Sequence, residues 1–347
     1  MYNHFASAFL VTLCLVVVCT FLLKSDRAQQ GDKPQQADQQ MSVLEISRNF
    51  RNADNSTNLY AVCFLMVNED IVLLHWLERL VKDQITIFIM TDNNEFVTGF
   101  EKKENIIVLS VNSFLTLKAG YHKMSFLQRK PVHAWDKALF YFNRLSHKKY
   151  KFIWFIESDV YIPSIKAFLT VHRHAQKKKY DLVTKENIIE KSPRNSTQWH
   201  WPVISKTFVM PTPWYASLSC AIGLSADMMT LVDKYAAANS RLDFLETLFN
   251  TIAMHNNMSI WNPLEMESIE CCKLAPWTCD EIESREHKWI HPIKDIRKFI
   301  GECFLLDKPW LHRVFQQQQH FLRMENGTMG KVMHNVHFQN MTDSKYD

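Results

Sequence analysis

Four strand-length apolar runs lie in the first half of the chain: LYAVCFLMV (59–67), ITIFIMTD (85–92), NIIVLSV (105–111) and FIWFIE (152–157). A run that is apolar at almost every position, instead of at alternate ones, needs cover on both faces. That is the environment of a strand inside a parallel sheet. The intervening segments supply such cover. In EDIVLLHWLERLV (69–81) the apolar positions Ile71, Leu74, Leu77 and Val81 recur at helical spacing, and in VHAWDKALFYFNRL (132–145) Trp135, Leu139, Phe142 and Leu145 share one stripe. The alternation predicts an α/β fold with a mainly parallel sheet flanked by helices on both faces.

Several functions are excluded early. The net charge is only +4, which is no footprint for nucleic acid, and the basic run Lys177–Lys179 reads as a solvated helix end. The chain has seven glycines, and none forms GxGxxG or GxxxxGK[ST], so neither a dinucleotide fingerprint nor a P-loop is present. HExxH and GxSxG are also missing, which argues against a metal-dependent or serine hydrolase.

The N-terminus predicts a membrane anchor. Residues 5–23 carry no formal charge, and 19 residues span about 28 Å as a helix, close to the hydrocarbon core of a bilayer. The run exceeds a signal-peptide core, the start MYNH lacks Lys or Arg, and no A-x-A site follows, so an uncleaved signal anchor is preferred to a cleaved leader. Residues 1–4 then form a short tail, residues 24–57 a stem containing the polar stretch RAQQGDKPQQADQQ, and residues 58–347 the main body. Lys24 and Arg27 would by themselves place the body in the cytoplasm. Against that stand six cysteines outside the anchor, which permit three bridges, and sequons at Asn55, Asn195, Asn257, Asn326 and Asn340. Together these place the body in the secretory lumen.

The fourth apolar run ends in Glu157 and Asp159. Ligands of α/β sheets bind at the carboxyl ends of strands, and in extended chain residues two apart face the same side. Two such acids suit a divalent ion carrying a diphosphate; equally, they suit a strand-end turn leading to Pro163. Trp199, Trp201, Trp214 and Tyr215, around WHWP and PWY, offer aromatic faces that stack on a sugar or pack into the core. VHRH (171–174) reads as surface, because His172 and His174 diverge on a helix. Cys271, Cys272 and Cys279 lack the paired spacing of a zinc site and suit disulfides.

Asp92 after the second strand, the helix with WDKAL, and the apolar strand ending in ESD together resemble the GT-A glycosyltransferases, type II Golgi proteins with a DxD-like motif for nucleotide sugar and metal. The later segments WYASLSCAIGLSADMMTLVDKY and RLDFLETLF are similar in layout to the core-2/I-branching N-acetylglucosaminyltransferases.

The resemblance implies an enzyme of the Golgi membrane that moves a hexose or N-acetylhexosamine from a nucleotide sugar to a glycan or glycoprotein hydroxyl. It implies Mn²⁺ or Mg²⁺ at Asp159, with Glu157 replacing the first aspartate of the motif. The branching enzymes manage without a metal, through basic residues. By the same resemblance Asp92 and Asp136 lie near the nucleotide, and His291 and Lys294 of KWIHPIKD complete the metal shell and pair with diphosphate oxygens. Asp243 and Glu246, three apart, would share a helical face toward the acceptor, with Glu246 as general base in a partly desolvated setting. The alternative of a different class is a carbohydrate-binding or receptor ectodomain that keeps the fold and performs no transfer.

Overall fold

The computed structural model describes residues 59–66, 85–92, 106–122, 132–196, 200–270, 277–285 and 287–293. The expected anchor, stem and helix 69–81 lie outside these residues, as do Trp199, Lys294, Cys271, Cys272, Cys303, Asn55, Asn326 and Asn340. No helix among the described residues is long and apolar enough to cross a membrane.

Strands β1 (Tyr60–Met66), β2 (Ile85–Thr91), β3 (Ile106–Leu109) and β4 (Phe152–Glu157) match the four apolar runs. They are joined in one seven-stranded sheet by β5 (Leu182–Val183), β8 (Ala221–Ser225) and β9 (Ile260–Trp261), in the order β3-β2-β1-β4-β8-β5-β9. Strands β3, β2, β1 and β4 are mutually parallel, as are β5 and β9, whereas β8 runs antiparallel to both of its neighbours. The mainly parallel expectation therefore holds, with one reversed strand. β6 (Ile188–Glu190) and β7 (Trp214–Ala216) pair separately.

Each strand face is buried in its own core. Ala61, Cys63 and Leu65 pack with Phe88, Met90 and Phe155 against α2 (Ala134–Phe140), α5 (Ala226–Asn239) and α6 (Leu245–His255). On the other face Val62, Phe64, Ile87 and Trp154 pack against α3 (Ile165–Lys178) and Trp289. This two-sided burial is why the runs carry no polar alternation. The other α-helices among the described residues are short, α1 (Ser113–Lys118), α4 (Trp201–Ile204) and α7 (Cys279–Glu283), and a π-helical turn (Tyr141–Leu145) continues α2.

Helix starts follow local chemistry. Ser164 and Ser225 cap α3 and α5 by accepting from the amides of Ala167 and Met228, each at 3.1 Å, which satisfies donors that the helix itself leaves open. At its far end α3 closes on Lys179 in the left-handed region, with Lys177–Lys179 exposed, as expected for a solvated helix end.

Three expectations are corrected here. His172 is buried, not surface, and its Nδ1 accepts the Trp154 indole N–H at 3.1 Å. Trp201 and Trp214 are 2% and 1% exposed and pack in the core, so neither offers a face to a sugar. Cys63 and Cys220 are reduced thiols while Cys279 is disulfide-bonded, so the six cysteines do not make three bridges.

Candidate functional site

The register of β4 between β1 and β8 carries Glu157 to the carboxyl edge of the parallel strands. The Glu157 amide donates to the Cys220 carbonyl at 2.8 Å and the next amide, Ser158, to Leu65 at 3.1 Å, so the strand end is pinned from both sides. The chain then turns, with the Val160 amide donating to the Glu157 carbonyl at 3.1 Å. Asp159 thus sits in a turn and not in extended chain, which corrects the argument from alternation.

What unites the two acids is a late segment. Tyr161 and Ile290 exchange backbone hydrogen bonds at 2.8 and 2.9 Å, and the Ile293 amide donates to the Asp159 carbonyl at 2.9 Å. This bridge lays Trp289–Ile293 alongside the turn and brings His291 to the acids: its Nε2 is 3.3 Å from Asp159 Oδ2. On the other side of the ring, Nδ1 is 2.8 Å from the Glu270 carbonyl. A carbonyl can only accept, so Nδ1 carries a proton and Nε2 is the nitrogen turned to Asp159.

Burial by itself pulls the His291 pKa down. The hydrogen bond and negative charge of Asp159 outweigh it, assisted by the Glu270 carbonyl and the charge of Glu157, and leave the ring titrating above the ordinary histidine value. Glu157 is oriented separately, its Oε1 accepting the Trp135 indole N–H at 2.7 Å. Trp135 is held in turn between Phe155 and Phe249, at ring distances of 5.5 and 5.9 Å.

Asp92 follows β2 directly and works as a clamp on α2. Its Oδ1 accepts the Ala134 amide at 2.5 Å, Oδ2 lies 3.5 Å from His133 Nδ1, and its carbonyl accepts from Lys137 Nζ at 2.8 Å. Asp136 accepts the His133 amide at 2.9 Å and is fully buried, so it has no surface to offer a nucleotide; the expected ligand role is corrected to a cap inside the protein.

Glu246 is half-buried in the first turn of α6, and its carbonyl accepts the Ser217 amide at 2.9 Å. Ser217 and Cys220 belong to the same short approach to β8, so Glu246 lies at the sheet edge that carries Glu157. Asp243 is different. It precedes the helix, which begins at Leu245, so the shared helical face does not exist. Its buried carboxylate accepts the Tyr235 hydroxyl and lies 3.4 Å from Arg241 Nε. Burial raises its pKa, only partly opposed by the Tyr235 bond and by the charges of Arg241 and His122. This is a buried structural network and not an acceptor base. Tyr215 is half-buried, with its ring edge-on to His255 at 6.3 Å.

Sequence reasoning missed Cys220 and Glu270. The Sγ of Cys220 lies within 4.8 Å of ligand atoms of Glu157 and His291. Its position just before β8, which pairs with the acid-bearing strand, was the available signal. Glu270 acts through its carbonyl, which no side-chain pattern reveals.

No family model matches the chain, and no curated protein matches it. Among solved structures, it is similar to a mannosyltransferase from Pyrobaculum calidifontis in complex with GDP-Man and Mn²⁺, at 13% identity and a TM-score of 0.35, covering 80% of this chain and 78% of that one. It is also similar to the apo form of mouse xyloside xylosyltransferase 1, at 11% identity and a TM-score of 0.35, covering 68% of this chain and 95% of that one.

Proposed function

We propose that this chain is a glycosyltransferase that moves a hexose or N-acetylhexosamine from a nucleotide sugar to a glycan or glycoprotein hydroxyl. The observation that carries the reading is that His291 meets both acids at the carboxyl edge of the sheet, 3.3 Å from Asp159 and within 4.8 Å of a Glu157 oxygen, where open α/β folds place their ligands.

Glu157 and His291, with Asp159 beside the imidazole, fit a divalent transition ion such as Mn²⁺, because Glu157 supplies a hard oxygen and the Glu270 carbonyl fixes the imidazole with Nε2 toward Asp159. Such an ion, when bound, neutralises the diphosphate of the leaving group. Lys294, one residue beyond the bridged segment, adds positive charge to the same diphosphate. Asp92 lies beside the nucleotide. Glu246 takes the proton of the acceptor hydroxyl, in an inverting transfer, and Tyr215 and Trp199 line the acceptor side. The body is luminal, anchored in the Golgi membrane by residues 5–23 as a single-pass type II protein and glycosylated at its sequons.

The test is release of nucleoside diphosphate from a panel of nucleotide sugars with added Mn²⁺, comparing the natural chain with Asp159→Ala and Glu157→Ala. Loss of one such group is expected to lower turnover by about 10²–10³-fold with the fold retained. Full activity in both variants would remove the assignment. Donor binding with no release would instead indicate a carbohydrate-binding module.

A further inference from the structure

The Sγ of Cys220, a carboxylate oxygen of Glu157 and a ring nitrogen of His291 all lie within 4.8 Å of one another. Each comes from a different part of the chain: Glu157 ends β4, Cys220 precedes β8, and His291 belongs to the late bridged segment. Two of the three are aimed by a supporting hydrogen bond. Glu157 Oε1 accepts from Trp135 Nε1 at 2.7 Å, and His291 Nδ1 donates to the Glu270 carbonyl at 2.8 Å. An imidazole whose second nitrogen donates to a carbonyl is the usual state of a metal-ligating histidine, since that bond sets the tautomer and leaves the other lone pair for the ion.

Cys220 is held in place as well, because its carbonyl accepts the Glu157 amide at 2.8 Å. Asp159 Oδ2 lies beside this group, 3.3 Å from His291 Nε2. The donor set is therefore nitrogen, sulfur and oxygen. Mg²⁺ favours an all-oxygen octahedron and gains little from a thiol. Zn²⁺ is held by such mixed sets, and affinity for them rises steeply from Mn²⁺ to Zn²⁺.

We propose that Glu157, Cys220 and His291, with Asp159 beside them, form a binding site for a soft divalent transition metal of the Zn²⁺ class, with Cys220 ligating as thiolate. On binding, the Cys220 proton passes to solvent as the sulfur–metal bond forms. The site uses side chains assigned above to the nucleotide-sugar donor and so deepens that reading, while binding of the ion alone needs no donor.

Co²⁺ titrated into the full chain without nucleotide sugar is the test. A sulfur-to-cobalt charge-transfer band is expected, abolished in Cys220→Ser and displaced by Zn²⁺. Trp135→Phe, which removes the contact supporting Glu157, should keep the band and weaken the ion by roughly 10–100-fold. Zn²⁺ should also protect Cys220 from alkylation in the natural chain, read by peptide mass, so the proposal does not depend on the folding of any variant. No band at saturating Co²⁺, or a band undiminished in folded Cys220→Ser, overturns the site. Diphosphate release with Mn²⁺ but no band would remove this inference and leave the glycosyltransferase reading. A band with no release under any ion would do the reverse.

Discussion

His291 Nε2 lies 3.3 Å from Asp159 Oδ2, and the two segments that carry them are stitched together by main-chain bonds on either side. The pairing is therefore imposed by backbone, and the side-chain contact itself adds little stability because Asp159 is 39% exposed. A double-mutant cycle with Asp159→Asn and His291→Gln should give a coupling in urea unfolding of about 1 kcal/mol or less. A coupling several times larger would mean that the ion pair, and not the bridge, holds the segment.

Trp135→Phe keeps a ring between Phe155 and Phe249 but removes the donor to Glu157 Oε1. Its stability cost should be about 1–3 kcal/mol. Diphosphate release should fall at saturating donor as well as at low donor, because the carboxylate loses its orientation. Unchanged release in a folded variant would show that Glu157 needs no such support.

Asp243 gives a pH dependence with a definite sign. Burial raises its folded pKa above the ordinary 3.8, so the folded state holds that proton more tightly than the unfolded chain does. The stabilisation is fully present below the unfolded pKa and is lost as pH rises through the folded one. Relative to Asp243→Asn, the natural chain should lose stability across that interval and then level off, as read from urea midpoints against pH. A difference that does not change with pH would contradict the burial argument.

Gly223 in β8 has no room for a side chain: a Cβ there would come 2.5 Å from the ring of Phe152. Phe152 is itself buried, 2% exposed, and cannot swing away cheaply. Gly223→Ala should cost about 1–3 kcal/mol in thermal or urea unfolding, and Phe152→Leu in the same chain should recover part of it.

Asn195 and Asn257 are exposed, and Asn257 stands in the left-handed region just past the end of α6. Secretory expression should therefore give a glycosidase-sensitive product, with a mass step lost in each of Asn195→Gln and Asn257→Gln. A product with no glycan at any sequon would remove the luminal placement.

The apolar runs of β1 to β4 and the presence of α2 were legible from residue order alone, but α2 is buried all round and the expected stripe runs past its end to Leu145, which is 38% exposed. Burial on both faces leaves short continuous apolar runs, whose strand length and β-branched and aromatic content mark them as strands, and the strand-end position of Glu157 followed from that. The fate of the tryptophans was not legible, since Trp201 and Trp214 have the same composition signal whether they pack inward or face a ligand. Asp243 and Glu246, three residues apart, separate because the helix begins between them, a boundary that local propensity does not define to the residue. Cys220 and His291 reach Glu157 through the antiparallel insertion of β8 and the Tyr161–Ile290 bridge. Those are long-range backbone pairings, chosen by the free energy of the whole packed sheet, so the sequence by itself determined the strand and its terminal acids, and only the tertiary structure decided which side chains meet them.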